Sequence, residues 1–422
     1  MRKILLKSGK PPFEVIKPAD VYYKDITGSN CGNLLFTHAA YKILSAPGVE
    51  IQTQPYMDTL NNADFISNHF DQYVVPLANA FRNTYTSNLE RLTELIEKLT
   101  IPVTILGVGA QSTTNYDLSV LSSLDKPVSR FVKAVLDHGP SIGVRGELTY
   151  DYIKKLGFRD VEIIGCPSMY YWGPNLAVNK KTQHLSPNDP VTLSYSPYLK
   201  TLYDFTLRQY EHFTDIVYIP QNSQDLALLL WGPSPLKKRR KTMNLSYPYY
   251  RDNKALFFID PTTWINYLST RAFTFGTRIH GTICSLLAGT PAFLVAHDSR
   301  TLELARFYSI PYKLASAITE DDDPAQWHDS ADYTMLIKSL PQKYSIFKDY
   351  LARHSLETIF DYPEEVVKYQ QSINSVVFPP PITGVPVGIR RSAFIRLMQS
   401  WHYTMPMAYT YFNRLLGGSL GN

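Results

Sequence analysis

The stretch Gly276-Thr277-Arg278-Ile279-His280-Gly281 sets an arginine and a histidine two positions apart, between two glycines. An aromatic run over residues 272–275 leads into it, and an apolar segment of helical character, residues 283–288, follows. This is the outline of a strand, a tight turn and a helix start, where free backbone N–H groups point outward. Two positive or potentially positive side chains at such a turn suit a phosphate or a carboxylate. The plainer reading is a strand-to-helix turn whose arginine pairs with a carboxylate and whose histidine caps a helix. Arg145, in Ile142-Gly143-Val144-Arg145-Gly146-Glu147, ends its own strand in the same way. An arginine there either staples loops or offers a fork of donors to a carboxylate or phosphate.

Other candidates stand at comparable places. The loop Thr27-Gly28-Ser29-Asn30-Cys31-Gly32-Asn33 precedes an expected helix over residues 34–44, and its small residues let a ligand approach the backbone. It lacks the GxGxxG and P-loop patterns, and it also reads as a plain turn. His69, Asp71 and Gln111 come from expected strand ends of the first half, and His38 lies within the expected helix. Asp298, Arg300 and Glu303 follow the strand after the opening stretch, well placed to orient Arg278 or His280. No Asp/His grouping has metal-ligand spacing, so no metal is expected.

The elements that must position these residues alternate strand with helix. Residues 1–7 read as a first strand and residues 62–69 as a short strand. Residues 88–99 form an amphipathic helix, with Leu89, Leu92, Leu95, Ile96 and Leu99 on one face. Residues 102–112 read as a buried parallel strand running into a glycine-rich exit. Strands over 141–145 and 161–166 follow, with helices over 128–136 and 150–156. Residues 174–190 are polar and irregular, a linker. A second strand–helix series begins at Val191, with strands over 191–196, 216–221, 256–260 and 272–276. A helix over 344–360 crosses back toward the first domain.

The fold class is therefore α/β, with two facing Rossmann-like domains, residues 1–180 and 190–345, and a cleft between them where ligands sit at strand carboxyl ends. Residues 346–422 make the crossing helix and a tail in which Arg390, Arg391 and Arg396 precede Leu397, Met398, Trp401, Tyr403 and Met405. Such a tail suits an anionic membrane surface, or packing on a neighbouring domain or subunit. Lys237-Lys238-Arg239-Arg240-Lys241 reads as a solvated loop or a contact for anionic polymer or lipid.

Composition bounds the rest. The 422 residues are 44% hydrophobic and 19% charged, enough for ordinary globular cores. A net charge of +5 favours anionic partners weakly and, with no motif beside it, supports no nucleic-acid function. The 30 tyrosines suit carbohydrate sites, interfaces or half-buried packing. Cys31, Cys166 and Cys284 are three, widely spaced and without metal spacing, which fits a reducing compartment. With an N-terminal apolar run too short for a signal peptide, a cytoplasmic protein is expected.

From Asn30 to about Pro311 the chain resembles the polysaccharide pyruvyl transferase family. The resemblance rests on Asn30-Cys31-Gly32-Asn33, Ile105-Leu106-Gly107-Val108-Gly109-Ala110-Gln111, Ile142-Gly143-Val144-Arg145-Gly146-Glu147 and Ile164-Gly165-Cys166-Pro167-Ser168. It is strongest in Gly276-Thr277-Arg278-Ile279-His280-Gly281, with Gly289-Thr290-Pro291 and Asp298-Ser299-Arg300 behind it.

The resemblance implies a GT-B-like fold, phosphoenolpyruvate as donor substrate, no separate cofactor, and an acceptor sugar of a polysaccharide repeat unit or lipid-linked oligosaccharide. The product is a pyruvate ketal bridging two hydroxyls. It assigns donor binding or activation to Arg145, Arg278 and His280, with Gly276, Thr277 and Gly281 in the same segment. Acceptor contacts fall to Asn30, Asn33, His69, Asp71 and Gln111. The family often carries Gly-Asp where this chain has Gly32-Asn33, which leaves the general base unassigned. A capsule or exopolysaccharide role would place the protein at the inner face of the membrane.

The residues suit that chemistry independently. Two arginines at facing strand ends match the phosphate and carboxylate of phosphoenolpyruvate. A histidine beside an anion is held as the imidazolium and can protonate the methylene carbon. Two other readings remain: a GT-B glycosyltransferase using a nucleotide-sugar donor, and a non-catalytic glycan-binding or scaffold protein of an assembly complex.

Overall fold

The computed structural model describes residues 1–55, 62–233, 241 and 243–384. The basic cluster, apart from Lys241, and the Arg390-to-Met405 tail lie outside the described residues.

Among those residues the first domain is built on parallel strands. They are β1 (Arg2–Lys7), β2 (Val49–Gln54), β3 (Gln72–Pro76), β4 (Val103–Leu106), β5 (Ile142–Val144) and β6 (Val161–Ile163). β2-β1-β3-β4 form one sheet and β5-β6 a pair. A parallel bridge between Val108 and Val144 joins the pair to the β4 side. The second domain carries β7 (Val191–Ser194), β8 (Ile216–Tyr218), β9 (Phe273–Gly276), β10 (Ala292–Ala296) and β11 (Tyr312–Leu314), ordered β11-β10-β9-β7-β8. Both domains thus place their first strand between the second and third, so the strand order reverses between β1 and β3 and again between β7 and β9. At such a switch point the flanking connections leave to opposite faces and open a crevice at the carboxyl ends.

Side-chain alternation explains the packing. On β1, Ile4 and Leu6 point into a core that continues through the second domain, while Leu5 points to the opposite face with Tyr73, Val75, Val103 and Ile105. The helix Gly32–Leu44 is buried nearly all round, including His38, because it lies between the two domains. In β9 the hydroxyl of Thr274 is satisfied within the core, 2.6 Å from Thr192 Oγ1 and 2.8 Å from Ser285 Oγ.

The domains are tied by many bonds. Cys31 N–H donates to Gln221 O at 2.8 Å, and Ser223 N–H to Ser29 O at 3.1 Å. Ser112 N–H donates to Ser299 Oγ at 2.7 Å, and Lys10 forms a buried ion pair with Asp260. The long helix Thr334–Arg353 returns to the first domain, where the Tyr350 hydroxyl donates to Ile105 O at 2.6 Å.

Three elements differ from the sequence reading. The strand expected over 256–260 is replaced by isolated bridges, Ala255 to Tyr218 and Phe257 to Ile382. Ala63–His69 is a helix, opened by the Asn62 side chain accepting from Phe65 N–H at 2.9 Å. The crossing helix starts at Thr334 and keeps Pro341 inside it, then stops at Arg353 before a separate helix, Pro363–Ser375. The sequence reading places this helix over 344–360, beginning after the proline; packing of Leu336, Leu340 and Tyr344 holds the helix across it.

Candidate functional site

The switch point of the second domain delivers the opening stretch. β7 and β9 pair in register Ser194↔Gly276, and the chain leaves β9 with Thr277 N–H bonded to Ser194 O at 2.8 Å. Gly276 has φ +142°, and a Cβ there would lie 2.1 Å from Ser194 O, so only glycine fits this close strand exit. Thr277 Oγ1 accepts from Ser196 N–H at 2.7 Å, and Gly281 lies against Ser194, so both serve the turn. Arg278 then stands at the N-cap of the helix Ile279–Leu287, with His280 in its first turn.

Arg278 donates from Nη2 to Asn222 Oδ1 at 2.7 Å. Asn222 in turn donates to the buried Asp225 at 2.9 Å, which also accepts from the Tyr250 hydroxyl at 2.9 Å. The arginine is thereby aimed by a hydrogen-bonded chain from the second domain, while its Nε has no partner. Arg145 is almost completely buried; its Nε donates to Gly107 O at 3.2 Å and its Nη2 has no partner. Unpaired guanidinium N–H groups in an interior are costly unless an anion meets them.

His280 lies where the domains meet. Its Nε2 is 3.9 Å from Cys166 Sγ, its ring is tilted against Phe36, and a Cβ on Gly32 would lie 2.7 Å from its Nδ1. Burial, and then the charges of Arg145, Arg300 and Arg278, push its pKa down to about 3. With these protein groups around it the imidazole is therefore neutral. The expected imidazolium needs a bound anion to offset those three guanidinium groups.

Asp298, Arg300 and Glu303 lie on the β10 side. Asp298 caps the helix Ser299–Tyr308 by accepting from Thr301 N–H at 3.0 Å, and it pairs with Arg300. Burial raises its pKa, but Arg300, His297 and the cap bonds outweigh this and hold it at about 2. Neither residue is bonded to Arg278; Asn222 has that task. Glu303 reaches into the first domain and accepts from Thr149 N–H, at the amino end of the helix Glu147–Lys155, at 3.3 Å. Burial raises its pKa to about 8, against the opposing pull of Arg145 and Thr149.

The acceptor candidates divide. Asn30 Oδ1 accepts from Gly32 N–H at 2.8 Å, and Asn33 Nδ2 donates to Thr27 O at 3.0 Å, so both brace the loop that touches His280. Gln111 lies 3.0 Å from Asn79 at the first domain's strand exits. His69 and Asp71 do not face the cleft. His69 ends a surface helix, stacked on Phe65, and Asp71 accepts from Lys3 N–H at 2.7 Å at the amino edge of the sheet. The cause is the helix read as a strand: β3 begins after Asp71, so these residues precede it instead of following it.

Sequence reasoning missed Arg82, Asn79, Asn222 and His297. Arg82 follows the β3 exit much as Arg145 follows β5, and that was its available signal. With its oxygen toward the guanidinium groups, the Asn79 amide accepts from Arg82 Nη1 at 2.6 Å and Arg300 Nη1 at 2.8 Å. His297 Nε2 lies 3.4 Å from Asp298 Oδ2. Among the described residues no group of three or more His, Cys, Asp or Glu side chains is arranged to hold a metal, and no helix is long and apolar enough to cross a membrane. A separate cavity of about 560 Å³ at the far end of the helix Ile279–Leu287, lined by Trp172, Leu287, Gly289 and Pro341, has no charged lining.

The fold and site define a two-domain α/β protein with GT-B-like architecture and an arginine-rich cleft. Residues 30–299 match the family model described as polysaccharide pyruvyl transferase. The chain belongs to that family, whose general activity is pyruvyl transfer in polysaccharide synthesis. No curated protein matches the sequence. Similar solved structures include an uncharacterised protein from Klebsiella pneumoniae, 13% identical with TM-score 0.38, covering 72% of this chain and 88% of that one. The S. aureus MnaA–UDP co-structure is 11% identical with TM-score 0.41, covering 90% of this chain and 99% of that one. The UDP-GlcNAc 2-epimerase of Methanocaldococcus jannaschii is 10% identical with TM-score 0.41, covering 83% and 99%. Likeness at this level says nothing of substrate.

Proposed function

We propose that the cleft transfers a pyruvyl group from phosphoenolpyruvate to two hydroxyls of a sugar in a polysaccharide or lipid-linked precursor, forming a ketal and releasing phosphate. The observation that carries this reading is the grouping of three guanidinium groups, Arg145, Arg278 and Arg300, around His280. Asp298 offsets one of those charges, and the unpaired Nη2 of Arg145 and Nε of Arg278 leave donors for an anion. A donor bearing both a phosphate and a carboxylate meets that demand.

Bound anion charge raises the pKa of His280, which then carries a proton to the methylene carbon of the donor. C2 becomes oxocarbenium-like and takes the first acceptor hydroxyl. The C2–O bond to phosphate breaks, and the second hydroxyl closes the ketal. Of the two hydroxyl protons, one replaces that spent on the methyl group and the other leaves with phosphate. Arg145 and Arg278 stabilise the negative charge that gathers on the departing phosphate.

The test supplies phosphoenolpyruvate, or a nucleotide sugar, together with candidate glycan acceptors. Acceptor-dependent phosphate release with incorporation of pyruvate supports the proposal. Nucleotide release, with no reaction of phosphoenolpyruvate, would replace it with glycosyl transfer.

A further inference from the structure

Arg82 and Arg300 form a like-charged pair across the domain boundary. Arg82 belongs to the segment after β3 of the first domain, and Arg300 to the first turn of the helix Ser299–Tyr308 of the second. The single amide oxygen of Asn79 accepts from both, at 2.6 and 2.8 Å. Of the two arginines, Asp298 pairs only with Arg300. Arg82 has no acidic partner among the described residues; its other neighbour is the Tyr85 ring, 5.4 Å away. Burial, and after it the charge of Arg300, hold Arg82 below the usual arginine range. With Asp298 offsetting Arg300, one neutral oxygen leaves the Arg82 charge uncompensated, so the pair calls for an anion.

That anion is distinct from the proposed donor. The proposed donor contacts are Arg145, after β5, and Arg278, after β9, whereas Arg82 follows β3 and meets Arg300 through Asn79. The Arg300 side chain is 25% exposed and Arg82 and Asn79 are half-buried, so a ligand can reach them from the cleft mouth.

We propose that Arg82, Arg300 and Asn79 form a second anion subsite, which takes the phosphate groups of a sugar-diphosphate acceptor. This rests on the reading that phosphoenolpyruvate occupies the inner cleft. Two guanidinium forks match the non-bridging oxygens of a diphosphate, and the Asn79 amide oxygen bridges them. The diphosphate can link the sugar to a prenyl chain or to a nucleoside; the chemistry recognised is the same.

Calorimetry of the full chain with inorganic pyrophosphate, with and without saturating phosphoenolpyruvate, tests the subsite. Pyrophosphate is expected to bind the donor-loaded protein. Arg82→Gln should weaken pyrophosphate by about tenfold, the loss typical of one charge-assisted contact, and leave phosphoenolpyruvate within about twofold. Arg82→Lys, which keeps charge but not the fork, should fall between. Competition between the two anions, or equal weakening of both by Arg82→Gln, would overturn the proposal. So would a lowered Tm of Arg82→Gln with pyrophosphate affinity intact, since Arg82 would then be structural. If phosphoenolpyruvate does not bind at all, the donor reading fails, while the dependence of pyrophosphate binding on Arg82 still decides the subsite. UDP and geranyl diphosphate separate the two sources: Arg82-dependent binding of either names the linkage, and binding of neither overturns the assignment.

Discussion

Nε2 of His280 lies 3.9 Å from Sγ of Cys166, a contact made from the second domain to the first. The thiol is directed at Ser168 Oγ, 3.4 Å away, and Nδ1 of the imidazole lies on the Gly32 side.

Replacing His280 with Gln should lower kcat by about 100-fold or more, the usual reach of a general acid, and change the KM for phosphoenolpyruvate only a few-fold. Steady-state kinetics with both substrates varied would read this. Equal losses in kcat and donor binding would make His280 a binding residue.

Donor binding should take up a proton near neutral pH. Burial and three arginines hold His280 at about 3, and a bound anion offsets the repulsion of the arginines. Calorimetry in buffers of different ionisation enthalpy would show net uptake in the native protein and none in His280→Gln. Uptake unchanged by that substitution would place the proton elsewhere.

Gly32→Ala should disable the site while leaving the chain folded. Its Cβ would stand 2.7 Å from Nδ1 and 2.8 Å from Cβ of His280, so either the ring or the helix Gly32–Leu44 must shift. Overpacking of this kind costs about 1–3 kcal/mol. A lowered Tm together with a larger relative loss of kcat is expected; native kcat would show that the histidine does not need this position.

Glu303 gives the domain junction a pH dependence of its own. Its folded pKa of about 8 lies above the ordinary 4.5, so between these values the folded state holds a proton that the unfolded state has lost. Its contribution to stability is present in full below about pH 4.5 and is lost as pH rises toward about 8. Glu303→Gln keeps an acceptor for Thr149 and removes the titration. Urea unfolding across this range should show a shallower pH slope for the variant, and identical slopes would contradict the assignment.

Much of this was legible in the sequence, for local reasons. The aromatic run into Gly276 and the apolar segment after Gly281 mark β9 and its helix, and so place Arg278 and His280 at a strand exit. Arg145 is marked in the same manner by β5. What the sequence did not carry is convergence, because strand order decides which exits meet. Asn222 reaches Arg278 from 56 positions away, and Cys166 reaches His280 from 114. The error at His69 and Asp71 has a simple origin. A short segment with few apolar residues fits strand and helix alike, and choosing strand reversed the end of the sheet to which Asp71 belongs.

The most direct measurement is a crystal structure of the protein with phosphoenolpyruvate and a candidate acceptor sugar. The donor carboxylate and phosphate are expected on Arg145 and Arg278, with its methylene carbon facing the His280 imidazole. Phosphoenolpyruvate bound away from His280, or contacted by neither arginine, would contradict it.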